Sequence, residues 1–228
     1  MLRISLLAAF FCSACALTPQ PAAPVAGRLA VPGGEIAYNV AGSGPPLVLL
    51  HAGRLDNSMW DPVIPRLTAH HRVVRWDARG HGHSSAPGGP GADTADDLRR
   101  LLDSLGIHRT AIAGISMGSG TAAHFTIRHP ERVERLILMS TSAPPPGTPA
   151  AAGAPPPLTT AEGRRMLAAT RVPATVVVGE RDSALVLETA RAIAAEVPGA
   201  RLIVVRGGHN VVADAPNVVA AAILAQRP

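Results

Sequence analysis

Short apolar runs that alternate with amphipathic segments are the feature that most limits how this chain can fold. Several runs are continuous stretches of β-branched residues or leucine, which is typical of strands buried on both faces of a sheet. Strands that alternate with helices along a chain predict an α/β domain with a mostly parallel central sheet flanked by helices. The runs predicted to be strands are residues 35–40, 47–50, 73–76, 111–114, 136–139, 175–178 and 202–205.

The segments between these runs predict the helices. The clearest has leucines at helical spacing, a capping Asp93 or Thr94 before it and Gly106 after it. Residues 142–157 hold seven prolines without an apolar period, so they are predicted to form a loop. The predicted helices are residues 94–105, 118–129, 160–169, 185–197 and 211–226.

Length and composition narrow the class of protein further. A chain of 228 residues that is 47% apolar fits one globular domain and excludes a collagen-like or disordered chain. The formal charge is +5, yet all 21 basic residues are arginine and they are scattered along the chain. Because nucleic-acid-binding surfaces concentrate their basic residues in a patch or stripe, we expect no nucleic-acid partner.

Residues 1–16 have the pattern of a signal peptide. Arg3 supplies a positive charge, residues 4–11 form an apolar run, and small residues follow. Ser13-Ala14-Cys15 is similar to the end of a bacterial lipobox, which would make Cys15 a site of lipid attachment and membrane anchoring. Ala14-Cys15-Ala16 equally fits ordinary signal cleavage. Export to the cell envelope, the periplasm or the medium is expected by either route.

The domain boundary follows from the segment after this leader. Residues 17–28 are rich in proline and predict an extended tether, which leaves residues 29–228 as the folded domain. Both cysteines of the chain lie in the leader, so the domain is expected to be stabilised by its core without a disulfide bond.

Gly114-Ile115-Ser116-Met117-Gly118 lies between a predicted strand and a predicted helix. A serine nucleophile needs its hydroxyl held out on a sharp strand-to-helix turn, where the crowded backbone tolerates only small neighbours. The motif therefore predicts Ser116 as a nucleophile. The amide of Met117 is predicted to hold the oxyanion, together with the amide of Gly53 in the loop after strand 47–50.

A serine nucleophile also needs a base, and a carboxylate that orients the base. His209 follows a predicted strand in a glycine-containing turn, from which its side chain can reach across the carboxyl edge of the sheet. The end of the preceding strand offers Asp182, with Glu180 as the alternative. The order Ser116, Asp182, His209 is that of the Ser-Asp/Glu-His hydrolases.

Several blocks of the sequence resemble the α/β-hydrolase family, and within it the branch of enol-lactonases, haloperoxidases and small esterases. The blocks include His51-Ala52-Gly53, Arg75 to Ser84, Gly114 to Gly118 and His129 to Val133. The resemblance implies an α/β-hydrolase fold, a triad of Ser116, Asp182 and His209, and no metal or organic cofactor. Asp77, His81 and His83 could suggest a metal site, but their loop matches a structural loop of the family. His51 is expected to be structural.

The chain departs from the family pattern at two places. Ala52 stands where the family usually has glycine, which is expected to tighten the oxyanion loop. Only residues 141–173 stand where the family commonly inserts a helical cap of many tens of residues. A cap usually supplies substrate contacts and excludes water, so its reduction predicts an open site.

The sequence as a whole predicts an exported serine hydrolase that cleaves a small carboxylic ester or lactone through an acyl-enzyme. A cofactor-free perhydrolase similar to the haloperoxidases, in which peroxide replaces water, is one alternative. A catalytically silent domain that serves as a binding module of the cell envelope is the other.

Overall fold

The computed structural model describes residues 25–88, 92–144, 147 and 153–225. Its strands form one sheet in the order β1-β2-β4-β3-β5-β6-β7-β8. The pairs β1–β2 and β2–β4 are antiparallel, and every other neighbouring pair is parallel. The strands are β1 (Val25–Val31), β2 (Gly34–Ala41), β3 (Pro46–Leu50), β4 (Arg72–Trp76), β5 (Thr110–Ile115), β6 (Val133–Met139), β7 (Ala174–Gly179) and β8 (Arg201–Val205).

Helices cover both faces of this sheet. In the described part of the chain they are α1 (Ile64–Thr68), α2 (Thr94–Ser104), α3 (Met117–Arg128), α4 (Ala161–Ala169), α5 (Ala184–Glu196), α6 (Val211–Asp214) and α7 (Pro216–Leu224). Two short 3₁₀ turns, Asn57–Trp60 and Pro130–Arg132, accompany them. The predicted α/β architecture with a mostly parallel sheet is confirmed.

The core consists of two apolar layers, one on each face of the sheet. Alternate residues of β3 supply both layers: Val48 and Leu50 face one, and Leu47 and Leu49 face the other. Helices α2 to α5 contribute to the first layer, and α1, α6 and α7 contribute to the second. All six residues of β5 are buried, so the strand that leads to Ser116 is held from both sides.

The sheet begins earlier than the sequence predicts. Residues 25–28, predicted to lie in the tether, form the first half of β1 and pair with β2 from Val25 opposite Val40 to Val31 opposite Gly34. β1 is an edge strand and most of its residues are exposed or half-buried, so it has little apolar pattern. Backbone pairing defines such a strand, and composition does not reveal it.

The single helix predicted over residues 211–226 is wrong. Pro216 divides it into α6 and α7, and Ala215 between them has φ −140° and ψ 53°. Proline disfavours helical angles in the residue before it and is well suited to the first turn of a helix. The break places α6 directly after the turn that carries His209.

The segment predicted to replace a cap is only partly described. It contains α4, which packs against α3 and α5, and residues 145–146 and 148–152 lie outside the described residues. The same holds for the predicted signal peptide, for Cys15 and for residues 17–24 of the tether. No helix in the described ranges is long and apolar enough to cross a membrane.

Candidate active site

Ser116 lies on the sharp turn between β5 and α3. Its φ of 54° and ψ of −113° are unusual for a residue with a side chain, and its amide donates to the carbonyl oxygen of Met139 at 2.9 Å. A side chain at Gly114 would collide with the carbonyl group of Gly118, and one at Gly118 would collide with the carbonyl group of Leu50. The two glycines of the motif are therefore required by close backbone packing around a strained serine.

Asp182 and His209 meet at the same carboxyl edge of the sheet. His209 Nδ1 lies 2.9 Å from Oδ1 and 3.0 Å from Oδ2 of Asp182. The Asp182 side chain is 3% exposed and that of His209 is 45% exposed. Because a carboxylate accepts hydrogen bonds, Nδ1 carries the proton, and Nε2 is left as the basic nitrogen. Glu180, the alternative carboxylate, is half-exposed and lies beside Arg181.

Backbone contacts hold the His209 turn against the end of β7. A side chain at Gly179 would collide with the carbonyl group of Gly208. The amide of Gly208 donates to Oδ2 of Asp214 at 2.6 Å, which ties the turn to α6. Ser183 donates its amide to Asp182 Oδ1 at 2.8 Å, so the carboxylate is fixed from a second side.

The two predicted oxyanion residues are neighbours. A Cβ placed on Gly53 would lie 3.8 Å from Cβ of Met117. Met117 opens α3, and the first amides of a helix have no partner within the helix. Met117 directly follows Ser116, so this contact brings the Gly53 loop beside the serine turn, as a pair of oxyanion donors would require.

His51 anchors the loop that carries Gly53. Its Nδ1 donates to the carbonyl oxygen of Ala52 at 2.7 Å, and its Nε2 accepts from the amide of Ala78 at 2.8 Å. The ring is fully buried, and this burial lowers the pKa of His51 below its ordinary value. A neutral His51 with both nitrogens bonded is a structural residue.

Ser142 is the hydrogen-bonding partner of the Ser116 hydroxyl. The two Oγ atoms are 3.2 Å apart, and no hydrogen bond joins Ser116 Oγ to His209 among the described residues. The segment that carries Ser142 is tied to α3 by a buried hydrogen bond of 2.6 Å between Thr141 Oγ1 and Ser119 Oγ. Ser142 lies in the predicted proline-rich loop, where no sequence pattern marks it as a site residue.

The loop of Asp77, His81 and His83 is held together by Asp77 itself. Its buried carboxylate accepts from the amide of Asn57 and from the amide of His83, each at 2.8 Å. A side chain at Gly82 would collide with that carboxylate. The side-chain amide of Asn57 also donates to this carboxylate, at 2.6 Å, so its oxygens are occupied by donors of the fold. No group of three metal-binding side chains occurs within the described ranges.

The sequence could have revealed two of the supporting residues only weakly. Asp214 follows His209 by five positions, and Ser142 follows the predicted strand 136–139 by three. Short-range spacing of this kind is common to many surface residues. Ser142 and Asp214 belong to the site because folding brings Ser142 to the Ser116 hydroxyl and Asp214 to the amide of Gly208.

The protein-family model described as "alpha/beta hydrolase fold" matches residues 45–171, which include the oxyanion loop and the serine turn. The crystal structure of an enol-lactonase from Burkholderia xenovorans is similar, with a TM-score of 0.75 and 26% identity, and the match covers 87% of this chain and 98% of that one. A carboxylesterase from Bacillus subtilis is 35% identical over 99 residues, which are 42% of this chain and 33% of the relative.

A protein of Mycobacterium phage D29 that carries the name of a non-heme haloperoxidase is 35% identical over 115 residues. The match covers 48% of this chain and 41% of the phage protein. The chain thus spans less than half the length of these curated relatives.

Proposed function

This chain belongs to the α/β-hydrolase family, and from that premise we propose that it is a serine hydrolase of small carboxylic esters or lactones. One observation carries the proposal. Ser116 stands at a strained strand-to-helix turn, and a carboxylate-oriented histidine stands at the same edge of the sheet. The enol-lactonase and carboxylesterase names of similar proteins support the class of substrate.

In the proposed reaction, Ser116 Oγ attacks the carbonyl carbon of the substrate while its proton passes to Nε2 of His209. Asp182 keeps Nδ1 protonated and stabilises the imidazolium that forms. The amides of Gly53 and Met117 hold the oxyanion of the tetrahedral intermediate. His209 returns the proton to the leaving alcohol as the acyl-enzyme forms. Water then attacks the acyl carbon, His209 takes its proton, and the acid is released as Ser116 is restored.

Hydrolysis of p-nitrophenyl esters from acetate to octanoate tests the proposal. The wild-type domain is expected to release nitrophenol and to be labelled by a fluorophosphonate. Ser116→Ala is expected to abolish labelling and to reduce kcat by roughly 10⁶-fold, the loss that removal of a triad serine causes elsewhere. A wild type that resists both reagents would overturn the proposal and favour a binding module.

A matched pair of variants tests the identity of the orienting carboxylate. Asp182→Asn replaces the charged acceptor with a neutral amide, which neither fixes the productive tautomer of His209 nor stabilises its imidazolium, so we expect kcat to fall by roughly 10³- to 10⁴-fold. Glu180→Gln is the control, because it changes a half-exposed carboxylate two residues away. Equal losses in the two variants would contradict the assignment of Asp182.

Perhydrolysis is the second candidate function, and the haloperoxidase name of the phage relative favours it. The same triad would form the acyl-enzyme, and peroxide in place of water would take the acyl group. A comparison of turnover of one ester in water and with added peroxide separates the two: formation of peracid faster than acid would favour the perhydrolase.

Export, with lipidation of Cys15 as its most specific form, is a separate proposal that rests on the pattern of residues 1–16. Expression of the full chain in a bacterium fed radiolabelled palmitate tests it. Label that Cys15→Ala abolishes would support lipid attachment. An unlabelled chain found outside the cytoplasm would favour ordinary signal cleavage, and an unlabelled chain retained in the cytoplasm would contradict export.

A further inference from the structure

Arg54 occupies a strained position in the oxyanion loop. The amide of Leu55 donates to the carbonyl oxygen of Ala52 at 3.3 Å, which closes a turn with Gly53 and Arg54 at its centre. The φ of Arg54 is 64°. The third position of such a turn favours glycine or asparagine, because a side chain is disfavoured at positive φ. An arginine there has a cost in stability that glycine would avoid.

Helix termination does not explain this strain. Arg171 also has a positive φ, of 56°, but it follows the end of α4, where a left-handed residue is a common way to end a helix. Arg54 follows a strand instead. It shares the carboxyl edge of the sheet with Ser116 and Ser140, which are, with Arg171, the other side-chain-bearing residues at positive φ among those described. Strained backbone conformations are concentrated at functional sites, so the position of Arg54 at the same edge as Ser116 and Ser140 indicates a functional role.

The charge of Arg54 is available to a ligand. Its side chain is exposed, and within the described residues it makes no ion pair and donates no hydrogen bond. The nearby carboxylate of Asp56 is bonded instead to the amide of Ser58 at 2.8 Å and to its hydroxyl at 2.5 Å. The carboxylate of Asp182 is bonded to His209.

We propose that Arg54 is a specificity-determining residue that selects esters or lactones bearing a carboxylate in their acyl part. This inference rests on the proposed function, since it takes the Gly53 amide to hold the carbonyl oxygen of the substrate. Because that carbonyl belongs to the acyl part, the proposal places the acyl chain on the side of the loop where Arg54 follows Gly53. A guanidinium binds a carboxylate through paired, charge-assisted hydrogen bonds.

The test compares p-nitrophenyl half-esters of succinate, glutarate and adipate with the neutral butyrate ester. Wild-type protein is expected to have a higher kcat/KM for at least one half-ester, mainly through a lower KM. Arg54→Gly is expected to reduce the ratio of half-ester to butyrate kcat/KM by about 2- to 5-fold, the effect of an exposed charge pair. Arg54→Lys keeps the charge but not the paired donors, so its ratio is expected to lie between those of the wild type and Arg54→Gly.

Arg171→Gly is the matched control. It removes an exposed arginine from the same backbone conformation, but Arg171 precedes β7 and therefore lies at the opposite, amino edge of the sheet. The ratio of half-ester to butyrate kcat/KM in Arg171→Gly is expected to equal that of the wild type. Raising salt from about 0.01 M to about 1 M shortens the Debye length from about 30 Å to about 3 Å, and is expected to reduce the wild-type ratio toward that of Arg54→Gly.

Failure of this inference can be told apart from failure of the proposed function. A wild type that hydrolyses butyrate through Ser116 but prefers no half-ester would overturn the role of Arg54 and leave the hydrolase intact. An unchanged ratio in Arg54→Gly, or an equal loss in Arg171→Gly, would overturn it as well. Ester hydrolysis that survives in Ser116→Ala would overturn the proposed function itself.

Discussion

The hydroxyl of Ser116 has two possible partners at the carboxyl edge of the sheet. In the structure it is bonded to Ser142, whereas attack on a substrate needs it to face His209. A neutral hydrogen bond contributes about 0.5–1.5 kcal/mol to stability, which is enough to bias a hydroxyl between two orientations. In the proposed mechanism, Ser142 is therefore a positioning residue for the Ser116 hydroxyl.

Removal of the Ser142 hydroxyl is expected to release Ser116 toward His209. For Ser142→Ala we expect fluorophosphonate labelling to be faster by roughly 2- to 10-fold, the equivalent of one neutral hydrogen bond. The measurement is the second-order labelling rate across pH, and Ser142→Thr, which keeps a hydroxyl, should stay close to wild type. Slower labelling in Ser142→Ala would mean that Ser142 assists attack.

At the scale of elements, the start of α2 shows how one side chain joins two helices. Asp93 accepts from the amides of Ala95 and Asp96, each at 3.1 Å, and also from Arg128 of α3 at 2.6 Å. It thereby caps α2 and links it to the helix that begins beside Ser116. The cap was predictable from sequence, and the link to α3 was not.

Loss of this cap is expected to destabilise the fold without changing the chemistry. Asp93→Ala should lower the free energy of unfolding by about 0.5–2 kcal/mol, since it leaves helix amides without an acceptor. Urea unfolding measures the change. Asp93→Asn keeps the cap and weakens the ion pair, so it should cost less than Asp93→Ala. Equal losses would show that the ion pair with Arg128 contributes more than the cap.

At the scale of the whole molecule, buried and half-buried histidines are expected to make the fold sensitive to acid. Burial is the main cause that lowers the pKa of His51, His71, His124 and His129 below the ordinary value of 6.5. The unfolded chain therefore binds protons on these histidines at a higher pH than the folded chain does. Their contribution to stability is complete above pH 6.5 and is lost as pH falls below it.

The expected result is a free energy of unfolding that is flat from pH 8 to about 7 and declines below about 6.5. Urea unfolding at a series of pH values measures it. His51→Gln is expected to make this decline shallower, because it removes the most deeply buried of these rings. A stability that rises between pH 6.5 and 5 would contradict the role of burial.

Local sequence patterns determined most of the strands of the sheet and the turn that carries Ser116. Apolar runs predicted β2 to β8, and the run is nearly continuous in β3, β5 and β7 because a strand buried on both faces must be apolar throughout. The glycines around Ser116 predicted the crowded turn, since only a residue without a side chain fits there. The edge strand β1 could not be predicted in this way, because an exposed strand carries little apolar pattern.

Tertiary structure decided which residues meet across the sheet edge. Sequence left Asp182 and Glu180 as alternatives, and folding brings Asp182 against His209. It also brings Ser142 to Ser116 and gives Arg54 its strained place beside Gly53. These contacts join residues from different loops, whose relative positions are fixed by strand order and packing. Spacing along the sequence does not determine the distances between residues of different loops, because those distances are set by how the strands and helices pack.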